Sequence, residues 1–284
     1  MKLKTLLYLT AAASLCLLAS CQKESSVVTP GEPKEIVLSL AGDDLGLEVS
    51  TKASATEISA VPSSLYLMMK NGNSTKMASS SKTVSSGKIA TGLYQTKTAT
   101  AYTYYLSNLA ITPGSSTNTG TIAAANTTDV LAGYAAATSS TTPAVALEHV
   151  FARTGSVSLA APSGYEISGV SFKISSSVTG TGTSGTYSLS DKKWSSTTLL
   201  STATELTSSS DLYLIPGTYT IACTYTLTKG DYVETFTKNA TVTLVAGKKC
   251  NISGTAPEGT AQAITLSVTL TPWSVQNVSM TFNK

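Results

Sequence analysis

Thr218-Tyr219-Thr220-Ile221-Ala222-Cys223-Thr224-Tyr225-Thr226-Leu227 is the stretch that decides the fold. Tyr219, Ile221, Cys223, Tyr225 and Leu227 fall on one side, and Thr218, Thr220, Thr224 and Thr226 on the other. A period of two is the period of a strand. Strict alternation over this length gives one buried face and one wet face, as in an antiparallel sandwich. Lys229-Gly230-Asp231 then turns the chain into Tyr232 to Phe236, with Val242 and Leu244 following. Glycine supplies the backbone freedom that such a turn needs.

The rest of the chain is written in the same style. Ile36, Leu38 and Leu40 share one face of a short strand, which Gly42-Asp43-Asp44 breaks. Leu65 to Met69 is a second strand, and Asn71-Gly72 after it is a strong hairpin signal. Tyr102, Tyr104 and Leu106 alternate, and Ser115 to Gly120 is a polar loop. Val157 with Leu159, Val170 with Phe172 and Ile174, and Tyr187 with Leu189 continue the pattern. Two amphipathic strands close the series. Ile264, Leu266, Val268 and Leu270 alternate in the first, and Val278, Met280 and Phe282 in the second. No segment carries a convincing helical period. Frequent short strands with turn signals between them point to an all-β sandwich or barrel.

Only 12% of the 284 residues are charged, against 42% hydrophobic. The net charge of +3 drops to +1 once Lys2 and Lys4 are removed with a leader. Arg153 is the single arginine, so no basic footprint for nucleic acid exists. The one histidine, His149, lies between Leu147 and Val150 and has no partner motif for acid–base work. It reads as a structural histidine. Zinc-ligand spacing and a phosphate-binding glycine loop are missing from the sequence. Asp43-Asp44 is better read as a turn than as a calcium site. Trp194 and Trp273 fit a core better than a sugar platform. The expectation is a non-enzyme without a cofactor.

The first residues carry an address. Lys2 and Lys4 precede an apolar run from Leu6 to Leu18, too short to span a bilayer. Leu17-Leu18-Ala19-Ser20-Cys21 resembles the bacterial lipobox. That resemblance implies cleavage before Cys21 and acylation of its sulfur. Residues 1–20 are then a signal peptide and 21–34 a lipidated tether, with a reach of at most about 45 Å. The 264 residues left after position 20 are about twice a seven-stranded sandwich of roughly 100 residues. Two tandem domains are expected, 35–147 and 148–284. Ser50-Thr51-Lys52-Ala53-Ser54 is a small, polar loop of the kind that proteases nick. Cys223 and Cys250 form either a disulfide or two buried small hydrophobes; spacing alone leaves both open.

Together these features resemble the Bacteroidia fimbrillins, subunits of type V pili. Further similarities are Asn126-Thr127-Thr128-Asp129-Val130-Leu131, Leu147-Glu148-His149-Val150-Phe151-Ala152, Leu214-Ile215-Pro216-Gly217, and Ile264 to Thr269 leading to Trp273. The resemblance implies two tandem transthyretin-like Greek-key sandwich domains. It also implies export to the outer membrane and cell surface, then cleavage by a trypsin-like protease between Lys52 and Ala53. The strand holding Ile36, Leu38 and Leu40 would leave with residues 35–52. Ile264, Leu266, Val268, Leu270, Val278, Met280 and Phe282 become the candidates for a donor strand that enters another copy in the fimbrium, serving adhesion. One departure is that the family's cleavage residue is often arginine, whereas here it is Lys52; cutting at Arg153 would sever the halves. Two other functions fit the composition less well: a permanently anchored lipoprotein that binds glycan or host protein, and a hydrolase on a β scaffold.

Overall fold

The computed structural model describes residues 32–41, 61–95, 100–116, 118–207, 212–258 and 262–272. From Pro33 onward they fall in one compact unit, Pro33–Lys284. Every regular element among them is a strand. The first nine are β1 (Lys34–Ala41), β2 (Ser64–Asn71), β3 (Ser74–Thr83), β4 (Lys88–Gln95), β5 (Tyr102–Ser107), β6 (Thr112–Pro113), β7 (Gly120–Ala125), β8 (Leu131–Thr138) and β9 (Ala144–His149). The other ten are β10 (Ala152–Ala160), β11 (Glu166–Ser175), β12 (Ser184–Ser188), β13 (Lys193–Thr198), β14 (Thr204–Leu206), β15 (Tyr213–Leu214), β16 (Gly217–Lys229), β17 (Tyr232–Leu244), β18 (Lys248–Thr255) and β19 (Thr265–Pro272). No helix here is long and apolar enough to cross a membrane.

The deciding stretch forms β16. All of Tyr219, Ile221, Cys223, Tyr225 and Leu227 are buried. The turn at Gly230 has φ +59°, and β16 pairs with β17 without a break from Gly217↔Leu244 to Lys229↔Tyr232. On the wet face, Thr224 meets Thr237 at 3.0 Å and Thr226 meets Thr235 at 2.9 Å. Such cross-strand hydroxyl pairs hold the register from the solvent side.

This hairpin belongs to a four-stranded sheet, β14-β11-β16-β17. A second sheet, β15-β10-β18-β19, lies across the same core. Together they make a β-sandwich in the second half of the chain. The run Val170, Phe172, Ile174 was expected to bury one face. Phe172 and Ile174 do so, but Val170 is 38% exposed. The ladder to β16 slips between Ser168 and Ser171, with Gly169 at φ +60°, so the phase changes just before Phe172.

The first half contains one curled sheet, β3-β2-β5-β8-β9-β1-β4. Strand β9 makes the corner. Its residues Ala144 to Ala146 pair with β1, and Leu147 to His149 pair with β8. The sheet therefore folds into two layers, β3-β2-β5-β8 and β9-β1-β4, around a core that includes Ile36, Leu38, Leu67, Ile89, Tyr104 and Val145. Its two edges meet again where Lys82 on β3 donates to the Thr91 carbonyl on β4 at 3.1 Å.

A third core joins the halves. It gathers Met68, Tyr105 and Ile122 with Phe151, Tyr187 and Ile215. Tyr105 points there while Tyr104 and Leu106 point into the first core, so β5 is buried on both faces. A small sheet, β13-β12-β7-β6, spans the position 147/148 through the ladder from Thr121↔Ser188 to Ala125↔Ser184.

Candidate functional site

The strand that carries Ile36 and Leu38 is built into the fold as an insert. β1 is the middle strand of the layer β9-β1-β4. It runs parallel to β9, in the register Ser39↔Ala144 and Leu40↔Val145. The Val37 and Ser39 amides donate to the Thr141 and Pro143 carbonyls, each at 2.9 Å. A parallel neighbour cannot be reached by a tight hairpin, so the β1–β9 pairing ties positions far apart in sequence.

On its other side β1 runs antiparallel to β4, and this ladder is irregular. Glu35 faces Tyr94 and Val37 faces Ala90, so Thr91, Gly92 and Leu93 together oppose Ile36. Gly92 has φ +75°, a left-handed conformation that suits glycine. Two side chains read this bulge. Thr91 Oγ1 donates to the buried Ile36 carbonyl at 2.8 Å and accepts from the Leu93 amide at 3.0 Å. The Gly92 amide donates to Glu35 Oε1 at 2.9 Å.

Ile36 and Leu38 are fully buried, and Leu40 is half-buried. Burying the first two contributes about 3–6 kcal/mol at roughly 1.5–3 each. Removal of β1 would uncover that apolar floor and leave open ladder groups along both β4 and β9. The slot is shaped for one extended strand with alternating apolar residues.

The first candidate donor strand is β19. It is an edge strand, paired with β18 from Lys248↔Pro272 to Thr255↔Thr265. Ile264 is buried, Leu266 and Val268 are half-buried, and Leu270 is 45% exposed. A groove of about 550 Å³ runs beside it, lined by Thr220, Asn239, Ala240, Thr241, Ile264, Thr265 and Leu266. Cys21, Lys52, Ala53, Trp273, Val278, Met280 and Phe282 lie outside the described residues.

Cys223 and Cys250 are both buried free thiols, the second of the two alternatives that their spacing left open. Cys250 turns its sulfur to the Lys248 carbonyl at 3.8 Å. Cys223 sits on the opposite sheet in the same core, where burial pushes its thiol up to about 11. Both act as small apolar side chains.

His149 lies on the junction core, with Nδ1 2.9 Å from an Asp129 carboxylate oxygen, and both side chains are buried. This pair locks the end of β9 to the loop before β8. Trp194 packs against Phe151 and Tyr187, with ring centroids 4.9 and 5.2 Å apart. No group of three or more His, Cys, Asp or Glu side chains placed to hold a metal occurs among the described residues.

Two features, one in the slot and one outside it, went unread in the sequence. Gly92, isolated in an alternating run, was the available signal for the bulge. Lys70 carried no signal of its role. It is 1% exposed, and its Nζ donates to the carbonyls of Gly114, Ser116 and Thr119 at 3.1, 3.0 and 3.3 Å.

The fold defines an all-β, sandwich-built protein whose first strand is completed by distant segments. Residues 40–273 match the model of the fimbrillin-like family, and the chain belongs to that family. A solved structure of a candidate cell adhesion protein from Parabacteroides distasonis shares the fold, with a TM-score of 0.51 and 11% identity. It covers 84% of this chain and 96% of its own. A fimbrilin from Porphyromonas gingivalis aligns with a TM-score of 0.49 and 10% identity, over 84% of this chain and 97% of its own. No curated protein matches the sequence.

Proposed function

We propose that this chain is a structural subunit of a cell-surface fimbrium, polymerised by exchange of strand β1. The precursor is delivered as a lipoprotein through Cys21. A trypsin-like protease cuts between Lys52 and Ala53, releasing the lipid and β1 on one segment. A strand from another copy then fills the slot between β4 and β9 by β-augmentation. Contacts of this head-to-tail kind do not close on themselves, so they build filaments. The polymer serves adhesion.

The observation that supports this most is the position of β1. It is buried, it is central in its layer, and it lies between Cys21 and Lys52 in sequence. A permanently anchored lipoprotein gains nothing from placing a core strand between its lipidated cysteine and a trypsin-type cleavage residue. Lys52→Ala tests the proposal in cells. It is expected to leave unpolymerised lipoprotein on the surface. Polymer formed at the wild-type level by Lys52→Ala contradicts it.

A further inference from the structure

We infer that Gln95 is a positioning residue, a strut that holds the slot two strand spacings wide once β1 has left. The inference rests on the strand-exchange function proposed above and adds what keeps that site ready for an incoming strand.

The walls of an emptied slot can pair with each other. β4 ends its sheet, and its ladder is to β1. Without β1, the open groups of β4 and of residues 141–146 face each other across about 10 Å, two strand spacings. The walls are also in phase. β4 is antiparallel to β1 and β1 is parallel to β9, so β4 and β9 are antiparallel to each other. The Ser39 amide reaches the Pro143 carbonyl while Ser39 faces Ala144. The Val37 amide reaches the Thr141 carbonyl in the same way, which places Val37 beside Thr142. Val37 also faces Ala90. A sideways step of β4 by one spacing therefore sets the exposed Ala90 against the exposed Thr142, and the buried Ile89 against the buried Pro143. Inward residues meet inward residues, and the apolar floor is covered. The missing Pro143 amide costs that pairing one ladder bond. Nothing else in the pleat opposes closure.

Gln95 opposes it. It stands at the end of β4, facing Lys34, and is 7% exposed. Its Nε2 donates to the carbonyls of Ser139 and Ser140 at 2.9 and 3.2 Å. The Pro143 and Thr141 carbonyls accept from β1 amides, whereas Ser139, two residues further back, accepts from Gln95. One side chain thus crosses the width that β1 fills and joins the two walls directly. Its length sets the gap, because moving β4 up to β9 would push the amide off both carbonyls and leave it buried without partners. From the far side, Lys82 on β3 holds the Thr91 carbonyl at 3.1 Å and draws β4 away from β9. Neither contact uses β1, so both remain when it goes. Gln95 Oε1 is buried and has no hydrogen-bond partner among the described residues. Gln95→Leu therefore removes the two donor bonds and little else.

A disulfide probe in the purified, dilute full chain tests the strut. Ile36→Asp with Leu38→Asp drives β1 out of the slot without cutting, because burying two carboxylates there is too costly. Ala90→Cys and Thr142→Cys report the gap, and the linked peptide pair is counted by mass spectrometry. Across an open slot the two positions stand beyond the roughly 7 Å that a disulfide spans; across a closed one they are about 4.5–5.5 Å apart. Little linkage is expected with Gln95 present, and about tenfold more in Gln95→Leu, from loss of its two hydrogen bonds. With native β1 in place, Gln95→Leu is expected to give no linkage, so a general loss of stability does not mimic the result. Equal yields with and without Gln95 overturn the inference. So does loss of amide-exchange protection in β5 and β8 when β1 is expelled with Gln95 present, since the frame then depends on β1. In cells, Gln95→Leu is expected to be cut at Lys52 and to lower polymer about tenfold. Polymer at the wild-type level alongside the expected linkage overturns strand exchange and leaves the strut standing.

Discussion

Thr91 Oγ1 on β4 donates a 2.8 Å hydrogen bond to the carbonyl of Ile36 on β1, and the bond is buried. One hydroxyl thus satisfies the backbone group that the β4 bulge leaves without a ladder partner. A strand held only by its ladder would need no such device.

Thr91→Val keeps the shape and removes the donor. The buried Ile36 carbonyl then loses its partner, at a cost of about 1–3 kcal/mol. Urea unfolding of the full chain is expected to show that loss as a lower midpoint. Thr91→Ser is expected to recover most of it.

Leu38→Ala removes a fully buried side chain from the core of the first half. The expected cost is about 2–5 kcal/mol, because the surrounding two-layer sheet cannot collapse onto the gap. Amide exchange is expected to accelerate most in β1. An equal cost from the exposed Leu270→Ala would contradict the burial pattern.

The buried thiols predict a pH dependence. Burial raises Cys223 from 9.0 to about 11, and raises Tyr219 from 10.0 to about 12 against a hydrogen bond with Gly182 that lowers it. In both, the folded state holds the proton more tightly than the unfolded chain. Their stability contribution is complete below pH 9.0 and is lost as pH rises through the folded values. The urea midpoint is expected to stay level as pH rises to 9.0, then fall between 9.0 and about 12. Neutral-pH thiol labelling of the folded protein is expected to be negligible at both cysteines, and rapid labelling would contradict their burial.

Lys70 predicts a local effect. Lys70→Met strips three carbonyls of the 114–119 segment of their shared donor. The expected result is a cost of about 1–3 kcal/mol and faster proteolysis within that segment.

Much of the fold was legible because burial follows the pleat. Tyr219 to Leu227 alternate without interruption, and the structure buries all five apolar residues. Val170 broke the reading because a bulge shifts phase without changing composition. Tyr105 broke it because β5 lies between two cores, a tertiary fact that periodicity cannot carry. The slot around β1 was half legible. Ile36 and Leu38 announced a buried strand, but the parallel pairing with β9 joins residues about a hundred positions apart, beyond any local pattern. Lys70 looked like a solvated lysine because its carbonyl partners come from a polar loop with no distinguishing side chains.

Mass spectrometry of the first residue of the polymerised subunit, taken from cells, tests strand exchange most directly. The account predicts that polymer begins at Ala53, without lipid and without β1. Polymer whose subunits still begin at an acylated Cys21 and still contain Ile36 and Leu38 would contradict it.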